Sequence, residues 1–106
     1  MPIPLQGTPS LAQWQRYVET LEHERGFAHQ SVIEKCLLLG EEVGELFKSV
    51  RKASRLATDP ASTVSPVSDE LADVFIYLCA IANRAGVDLE TAVREKEARN
   101  AGRTWT

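Results

Sequence analysis

Acidic side chains occur as two closely spaced pairs in the sequence. Glu42 and Glu45 are three residues apart, and so are Glu70 and Asp73. Successive residues of a helix are turned by about 100°, so each pair lies on one flank of a helix. Both pairs fall on the same rotational side of the apolar stripe of their segment. If the two helices are antiparallel, all four carboxylates are expected to meet at one edge of the groove between them.

Such a group of carboxylates has a clear chemical use. The four charges would raise one another's pKa and destabilise the fold unless a cation offsets them. We expect a hard divalent cation with oxygen ligands, Mg²⁺ with Mn²⁺ as a substitute. A diiron centre fits less well, because neither His23 nor His29 stands three residues after a glutamate. The alternative is that the acids form a solvated helix surface without a ligand.

The first half of the chain has the pattern of two helices. A capping box that starts at Ser10 predicts a first helix to about Arg25. A second capping box at Ser31 predicts a longer helix to about Ser54. No segment of the chain has the pattern of a strand, so the predicted fold class is an all-α, four-helix bundle with antiparallel central helices.

The second half of the chain is predicted to contain the other two helices. The small, polar and proline-containing residues 57–66 predict a loop. Ser65, followed by proline, is expected to cap a third helix that ends at Gly86. Asp88 is expected to cap a last helix that runs to about Ala101.

Apolar residues follow a spacing of four and three in both central helices, which is typical of antiparallel neighbours in a bundle. These seam residues are Val32, Cys36, Leu39, Val43, Leu46 and Val50, then Val67, Leu71, Val74, Leu78, Ile81 and Ala85. Further apolar residues off the seam, such as Leu37 and Phe47, need cover and predict a homodimer or homotetramer. Gly40 and Gly44 lie one turn apart and are expected to let another helix approach closely.

Length and composition are those of a single globular domain. The chain has 106 residues, of which 43% are hydrophobic and 25% charged. A net charge of −3 gives no general attraction to nucleic acid or to an anionic membrane. Without a long apolar run or a signal-peptide pattern, we expect a cytoplasmic protein. Cys36 and Cys79 are expected to be buried reduced thiols, and a disulfide or a reactive thiol is the alternative.

The residues around the acids resemble those of the MazG-like, all-α nucleoside triphosphate pyrophosphohydrolases. EEVGE (41–45) and ELAD (70–73) are similar to the EExxE…ExxD signature of that family. The similarity extends through KCLLLGEEVGELFKSVRK, DELADVFIYLCAIANRAGVDLETAV and the tail KEARNAGRTW, and covers most of residues 26–105. It implies one MazG-like domain over residues 1–106 with an oligomeric fold.

The resemblance implies hydrolysis between the α- and β-phosphates of a nucleoside triphosphate, as housecleaning of unwanted nucleotides. In such enzymes, four acids of the signature bind Mg²⁺, and by position these are Glu42, Glu45, Glu70 and Asp73. Glu41 is then a carboxylate that supports these ligands, the base for the attacking water, or a solvated side chain. The alternatives are a narrower dUTP or dCTP pyrophosphatase and a non-catalytic helical oligomer that binds nucleotide or protein.

The same resemblance suggests which residues contact the substrate. The β- and γ-phosphate candidates repeat at helical spacing and are Lys96, Asn100 and Arg103, with Arg99 a weaker candidate. Their alternative role is a solvated basic face at a helix C-terminus. Candidates for the base and sugar are Trp14, Phe27, His29, Lys35, Leu38 and Asn83. Trp14 is alternatively a core anchor and His29 a surface or capping residue. Trp105 is expected to cover the site or a subunit interface.

Overall fold

The computed structural model describes residues 5–55 and 65–104, and these residues form four helices without a strand. The helices are α1 (Leu11–Arg25), α2 (Val32–Ala53), α3 (Val67–Ala85) and α4 (Leu89–Ala101). α2 packs mainly against α3, while α1 contacts both α3 and α4. The all-α prediction is therefore confirmed for the part of the chain that the structure describes. None of these helices combines the length and the apolar character that crossing a bilayer requires.

Local signals fix most of the helix ends where the sequence predicts them. The hydroxyls of Ser10 and Ser31 each accept a hydrogen bond from the backbone N–H three residues later, and both capping boxes are complete. α1 and α3 end at Gly26 and Gly86, whose φ angles of 79° and 68° lie in the left-handed region that glycine tolerates. The carboxylate of Asp88 caps α4 as expected.

The start of α3 differs from the prediction. Pro66, not Ser65, is the N-cap residue, and no described side chain caps this end. Ser65 contributes its backbone instead, because its carbonyl accepts a hydrogen bond from the buried hydroxyl of Ser49 on α2. Most of the predicted loop over 57–66 falls on residues 56–64, outside the described residues.

The buried core lies between α1 and α3. Its centre is formed by Val18, Leu21, Cys79 and Ala80, with Trp14, Tyr17, Phe75, Ile76 and Leu89 packed around it. The Trp14 ring makes edge-to-face contacts with Tyr17 and Phe75, at centroid distances of 5.8 and 6.2 Å. Trp14 is thus a core anchor, which was the alternative to a base contact. α2 contributes no residue to this core.

The apolar seam predicted between α2 and α3 is not buried within the chain. Every seam residue is half-buried or exposed, and the exposed ones are Val32, Cys36, Val50, Leu71, Leu78 and Ala85. Polar residues occupy the contact with α3 instead. Lys35, Glu42 and Ser49 are spaced by seven, so they share one face of α2. Because Lys35 meets Tyr77 and Ser49 meets Ser65, the two helices run antiparallel, as predicted.

The two cysteines have different environments. Cys79 is buried in the core, where burial raises the pKa of its thiol to about 11. Cys36 was expected to be buried as well, but it is exposed. The reason is that the seam to which Cys36 belongs faces outward from the chain. Both thiols are free, in agreement with the expected reduced state.

A large apolar surface is left uncovered, and we call it the apolar face. It comprises Ile33, Leu37, Phe47 and Val50 of α2 with Leu71 and Leu78 of α3. Ile33, Leu37 and Phe47 are 69%, 70% and 64% exposed. Apart from the neighbouring backbone of α2 itself, no described atom lies within 4 Å of a Cβ atom added at Gly40 or Gly44. The close helix approach predicted at these glycines therefore does not occur within the described chain.

Candidate active site

Three of the predicted acids converge where α2 lies against the first half of α3. One carboxylate oxygen from each of Glu42, Glu70 and Asp73 lies within 4.8 Å of the others. Glu70 and Asp73 stand on consecutive turns of α3, and Glu42 reaches them from α2. Antiparallel packing thus brings the two acidic flanks to one groove, and we call these three residues the acid cluster.

The electrostatics of the acid cluster are unfavourable without a ligand. The pKa of Glu42 is raised, chiefly by burial. The charges of Asp73, Glu70 and Glu45 and a hydrogen bond with Glu70 add to this effect. Glu70 is only 6% exposed. Its Oε2 atom is buried and has no hydrogen-bond partner among the described residues. A buried carboxylate oxygen without a partner is costly, and a hard divalent cation accepts oxygen ligands of this kind.

The remaining two acids of the first motif lie outside the acid cluster. The Glu45 side chain is 48% exposed, and its carboxylate lies 3.9 Å from the Lys48 ammonium. It stands one turn after Glu42, close enough to contribute to the raised pKa of that residue. Glu41 is exposed on the same stretch of α2. The structure therefore brings together three of the four predicted metal ligands, and Glu45 flanks them.

A small cavity of about 140 Å³ adjoins the acid cluster through Asp73. Phe27, Lys35 and Tyr77 form its other side. The Lys35 ammonium lies 5.2 Å from the centre of the Phe27 ring and 5.3 Å from that of Tyr77, in cation–π geometry. Burial and the negative charges of Glu42 and Asp73 raise the pKa of the Tyr77 phenol. The cavity is thus partly aromatic, carries one buried cation, and opens beside the acids.

Comparison with known proteins assigns the chain to a family. The family model of the MazG nucleotide pyrophosphohydrolase domain matches residues 27–103. The chain belongs to the MazG family. The MazG domain is therefore a hydrolase that acts on nucleotide pyrophosphate bonds, and the resemblance seen in the sequence is confirmed.

A solved structure agrees with this assignment. The MazG domain is similar to the crystal structure of iMazG from Vibrio DAT 722, with 31% sequence identity and a TM-score of 0.62. The similarity covers 87% of this chain and 94% of that chain. No curated protein matches the chain.

The predicted phosphate-binding residues of this MazG domain lie on or just after α4. Lys96 and Arg103 are exposed, and Asn100 is half-buried and donates a hydrogen bond to Glu97 at 2.9 Å. α4 packs against α1, and the described residues that line the cavity include none of these three. Their contact with the phosphates therefore stays a prediction.

The predicted base and sugar residues separate into two groups. Lys35 and Phe27 line the cavity, whereas His29 is exposed at the turn between α1 and α2. Asn83 has another role: its amide donates to the backbone carbonyl of Gln15 at 2.9 Å and accepts from the Gln15 side chain at 3.2 Å. Asn83 also stands ten residues after Asp73, about 15 Å along α3. The sugar contact expected of Asn83 is not supported, and Trp105 lies outside the described residues.

Sequence reasoning missed three residues around the cavity, namely Glu22, Tyr77 and Arg84. A signal for Glu22 was available, because it follows the buried Val18 by four residues and so falls on the apolar stripe of α1. A carboxylate buried at such a position needs positively charged side chains as partners. Lys35 and Arg84 supply them, at 2.9 and 2.8 Å.

Proposed function

We propose that this MazG domain is a Mg²⁺-dependent nucleoside triphosphate pyrophosphohydrolase. It cleaves a ribo- or deoxynucleoside triphosphate to the monophosphate and pyrophosphate, and it removes unwanted or excess nucleotides from the cytoplasmic pool. The observation that supports this proposal best is the acid cluster: three carboxylates from two helices converge around a buried oxygen that has no partner among the described residues.

The residues present fit a divalent cation. Glu42, Glu70 and Asp73 would hold it through oxygen atoms, and Glu45 is proposed as a further ligand from its place in the sequence motif. When bound, Mg²⁺ neutralises phosphate charge, orients a water molecule toward the α-phosphorus and lowers the pKa of that water. Mn²⁺, which prefers the same ligands, is expected to substitute.

The other residues of the site have separate proposed roles. Glu41, exposed beside the acid cluster, accepts a proton from the attacking water. Lys35, in the cavity next to Asp73, contacts the nucleoside, and exposed His29 closes over it from the preceding turn. Lys96, Asn100 and Arg103 are proposed to bind the β- and γ-phosphates through charge-assisted and amide hydrogen bonds.

We propose further that the chain acts as a homodimer or homotetramer. The exposed apolar side chains of this face would be covered if a second copy packed on the same face. Gly40 and Gly44 leave part of this face without side chains, which lets the backbone of the second copy approach closely. No nucleic acid partner is proposed, because the net charge of −3 offers no electrostatic attraction.

The test is a product analysis. Purified protein is incubated with Mg²⁺ and each of the four deoxynucleoside triphosphates, dUTP and the four ribonucleoside triphosphates, and the products are identified by chromatography. We expect at least one substrate to give the monophosphate and pyrophosphate without orthophosphate, and EDTA to stop the reaction. Release of orthophosphate, or no turnover across the panel, would refute the proposed function.

A further inference from the structure

We propose that Glu22 and Arg84 are positioning residues of the active site. They hold the Lys35 ammonium at the side of the cavity, where it hydrogen-bonds an oxygen atom on the nucleoside half of the substrate. This inference rests on the proposed function, because it concerns one side of the same site. Glu22 and Arg84 belong to neither acidic motif. In this proposal neither of them contacts the substrate, and both act by holding Lys35.

The three side chains form a buried ionic network. The Lys35 ammonium lies 2.9 Å from a Glu22 oxygen, and the two side chains are only 5% and 6% exposed. Arg84 binds both oxygens of Glu22 with its two terminal nitrogens, at 2.8 and 2.9 Å. Burial opposes ionisation of Glu22, but the hydrogen bonds and charges of Arg84 and Lys35 outweigh it and lower the pKa of this carboxyl. Glu22 therefore stays charged and fixes Lys35 in place.

The network has more positive than negative charge. One carboxylate faces two cations, so the network carries a net charge of about +1 at neutral pH. A buried ion pair is expensive to form and gains little stability over an apolar replacement. Lys35 has three N–H donors, and the structure gives it one ionic partner and two aromatic rings. Only one of these partners is an oxygen atom, so a substrate oxygen in the cavity would be the second hydrogen-bond acceptor of Lys35, in place of a ring contact.

Arg84 also holds the turn between α1 and α2, which contains Phe27. Besides Glu22, its guanidinium donates to the backbone carbonyls of Gln30 at 2.7 Å, Phe27 at 3.1 Å and Ala80 at 3.0 Å. The turn between α1 and α2 is thereby tied to α3. Since Phe27 belongs to this turn and lines the cavity, Arg84 holds the backbone that carries the Phe27 ring as well as the carboxylate that pairs with Lys35.

The helical register indicates which half of the substrate Lys35 meets. Lys35 precedes Glu42 by seven residues, which is about 10 Å along α2. Asp73 of the acid cluster lines the same cavity as Lys35. A substrate whose phosphates lie at the acid cluster would therefore extend its nucleoside half toward Lys35, where carbonyl and hydroxyl oxygens are available.

The proposal is tested with Lys35→Met, Glu22→Gln and the double variant, using the deoxynucleoside triphosphate that wild type turns over fastest. For each single variant we expect KM to rise about tenfold, because one hydrogen bond to a charged group is lost. We expect kcat within about threefold of wild type and an unchanged inhibition constant for inorganic pyrophosphate, because the phosphate end is untouched. The double variant should be no worse than either single variant, because Glu22 acts only through Lys35.

Two further variants separate positioning from folding. Glu19→Gln, an exposed acid on the same helix, is the matched control and should keep wild-type KM. Arg84→Lys retains the charge but not the two-pronged contact, and KM should rise with kcat nearly unchanged. Lys35→Met keeps the Glu22–Arg84 pair and should remain folded by circular dichroism.

Several results would overturn the inference. They are an unchanged KM in Lys35→Met, additive effects in the double variant, a pyrophosphate inhibition constant that rises together with KM, or a Lys35→Met protein that does not fold. A wild-type protein that releases no pyrophosphate refutes the proposed function instead, so the two failures are distinguishable.

Discussion

At the scale of single residues, the acid cluster holds three carboxylates close together, which lowers stability when no cation is bound. Glu42, Glu70 and Asp73 would repel one another less if any of them were neutral. The raised pKa of Glu42 is a direct consequence of burial and of these neighbours. Sites that hold like charges together are commonly less stable than their neutral variants.

Removal of the Glu42 charge should therefore stabilise the metal-free protein in a pH-dependent way. Because the folded pKa is raised above 4.5, the stability contribution of Glu42 is fully present below that pH and is lost as pH rises through the folded pKa. In EDTA near neutral pH, Glu42→Gln should melt at a higher temperature than wild type. The difference should vanish as pH falls below 4.5.

Thermal melts of both proteins across this pH range, with and without Mg²⁺, provide the measurement. Mg²⁺ should stabilise wild type and reverse the order, since a ligand that binds only the folded state raises its stability. Equal melting temperatures in EDTA at neutral pH would contradict this view of the acid cluster.

Neutralising Glu70 should stop catalysis without unfolding the chain. We expect Glu70→Gln to lower kcat by about a hundredfold or more, because one preorganised electrostatic contact is lost. Asp69→Asn is the matched control, because Asp69 is exposed and precedes Glu70 directly on α3. Pyrophosphate release and circular dichroism give the comparison. Similar activities in the two variants would remove Glu70 from the site.

At the scale of helices, the sequence predicts most helix ends, apart from the Ser65 cap of α3, but it does not predict which face of α2 meets α3. Capping boxes and left-handed glycines depend on residues within a few positions of one another, so the sequence predicts the ends of α1 and α2 well. The direction of α2 depends on tertiary contacts. An apolar stripe requires cover, but it does not say whether α3 or a second copy provides it.

In the candidate site, too, the sequence predicts one part and not the other. The acid cluster follows from helical periodicity and antiparallel packing, and both can be inferred from residue spacing. The ionic network that holds Lys35 cannot, because Glu22 is 13 residues before Lys35, and Arg84, which binds Glu22, is 49 residues after Lys35. Asn83 and Trp14 are substrate candidates in the sequence, but Asn83 donates a hydrogen bond to Gln15 of α1 and Trp14 packs against Phe75 of α3.

The cap of α2 gives a prediction at this scale. Ser31→Ala removes the side-chain acceptor of the capping box and should lower the free energy of unfolding by about 1 kcal/mol. Ser68→Ala, an exposed serine on α3, is the control and should change stability little. Urea denaturation followed by circular dichroism measures the difference. Equal midpoints for the two variants would contradict the capping role.

At the scale of the whole molecule, the single chain leaves its most apolar surface in water. The core between α1 and α3 is small, and it contains no residue of α2. The apolar face would instead be covered by the second copy in the proposed oligomer. Stability and assembly are therefore expected to be linked.

A charge placed in the apolar face should separate the copies. Leu37 is 70% exposed in the single chain, and we expect Leu37→Glu to convert a dimer or tetramer to monomer. Val93→Glu is the control, since Val93 is 52% exposed on α4 and lies outside the apolar face. Light scattering coupled to size-exclusion chromatography gives the masses. A wild-type protein that elutes as a monomer would contradict the proposed assembly.

The central claim is that carboxylates from α2 and α3 hold one divalent cation between them. Titration of the protein with Mn²⁺, followed by the electron paramagnetic resonance signal of the free ion, tests this claim most directly. Wild type and Asp69→Asn should bind Mn²⁺ with similar affinity, and Asp73→Asn should bind it at least about tenfold more weakly. Equal binding by all three proteins, or no binding by wild type, would contradict the account.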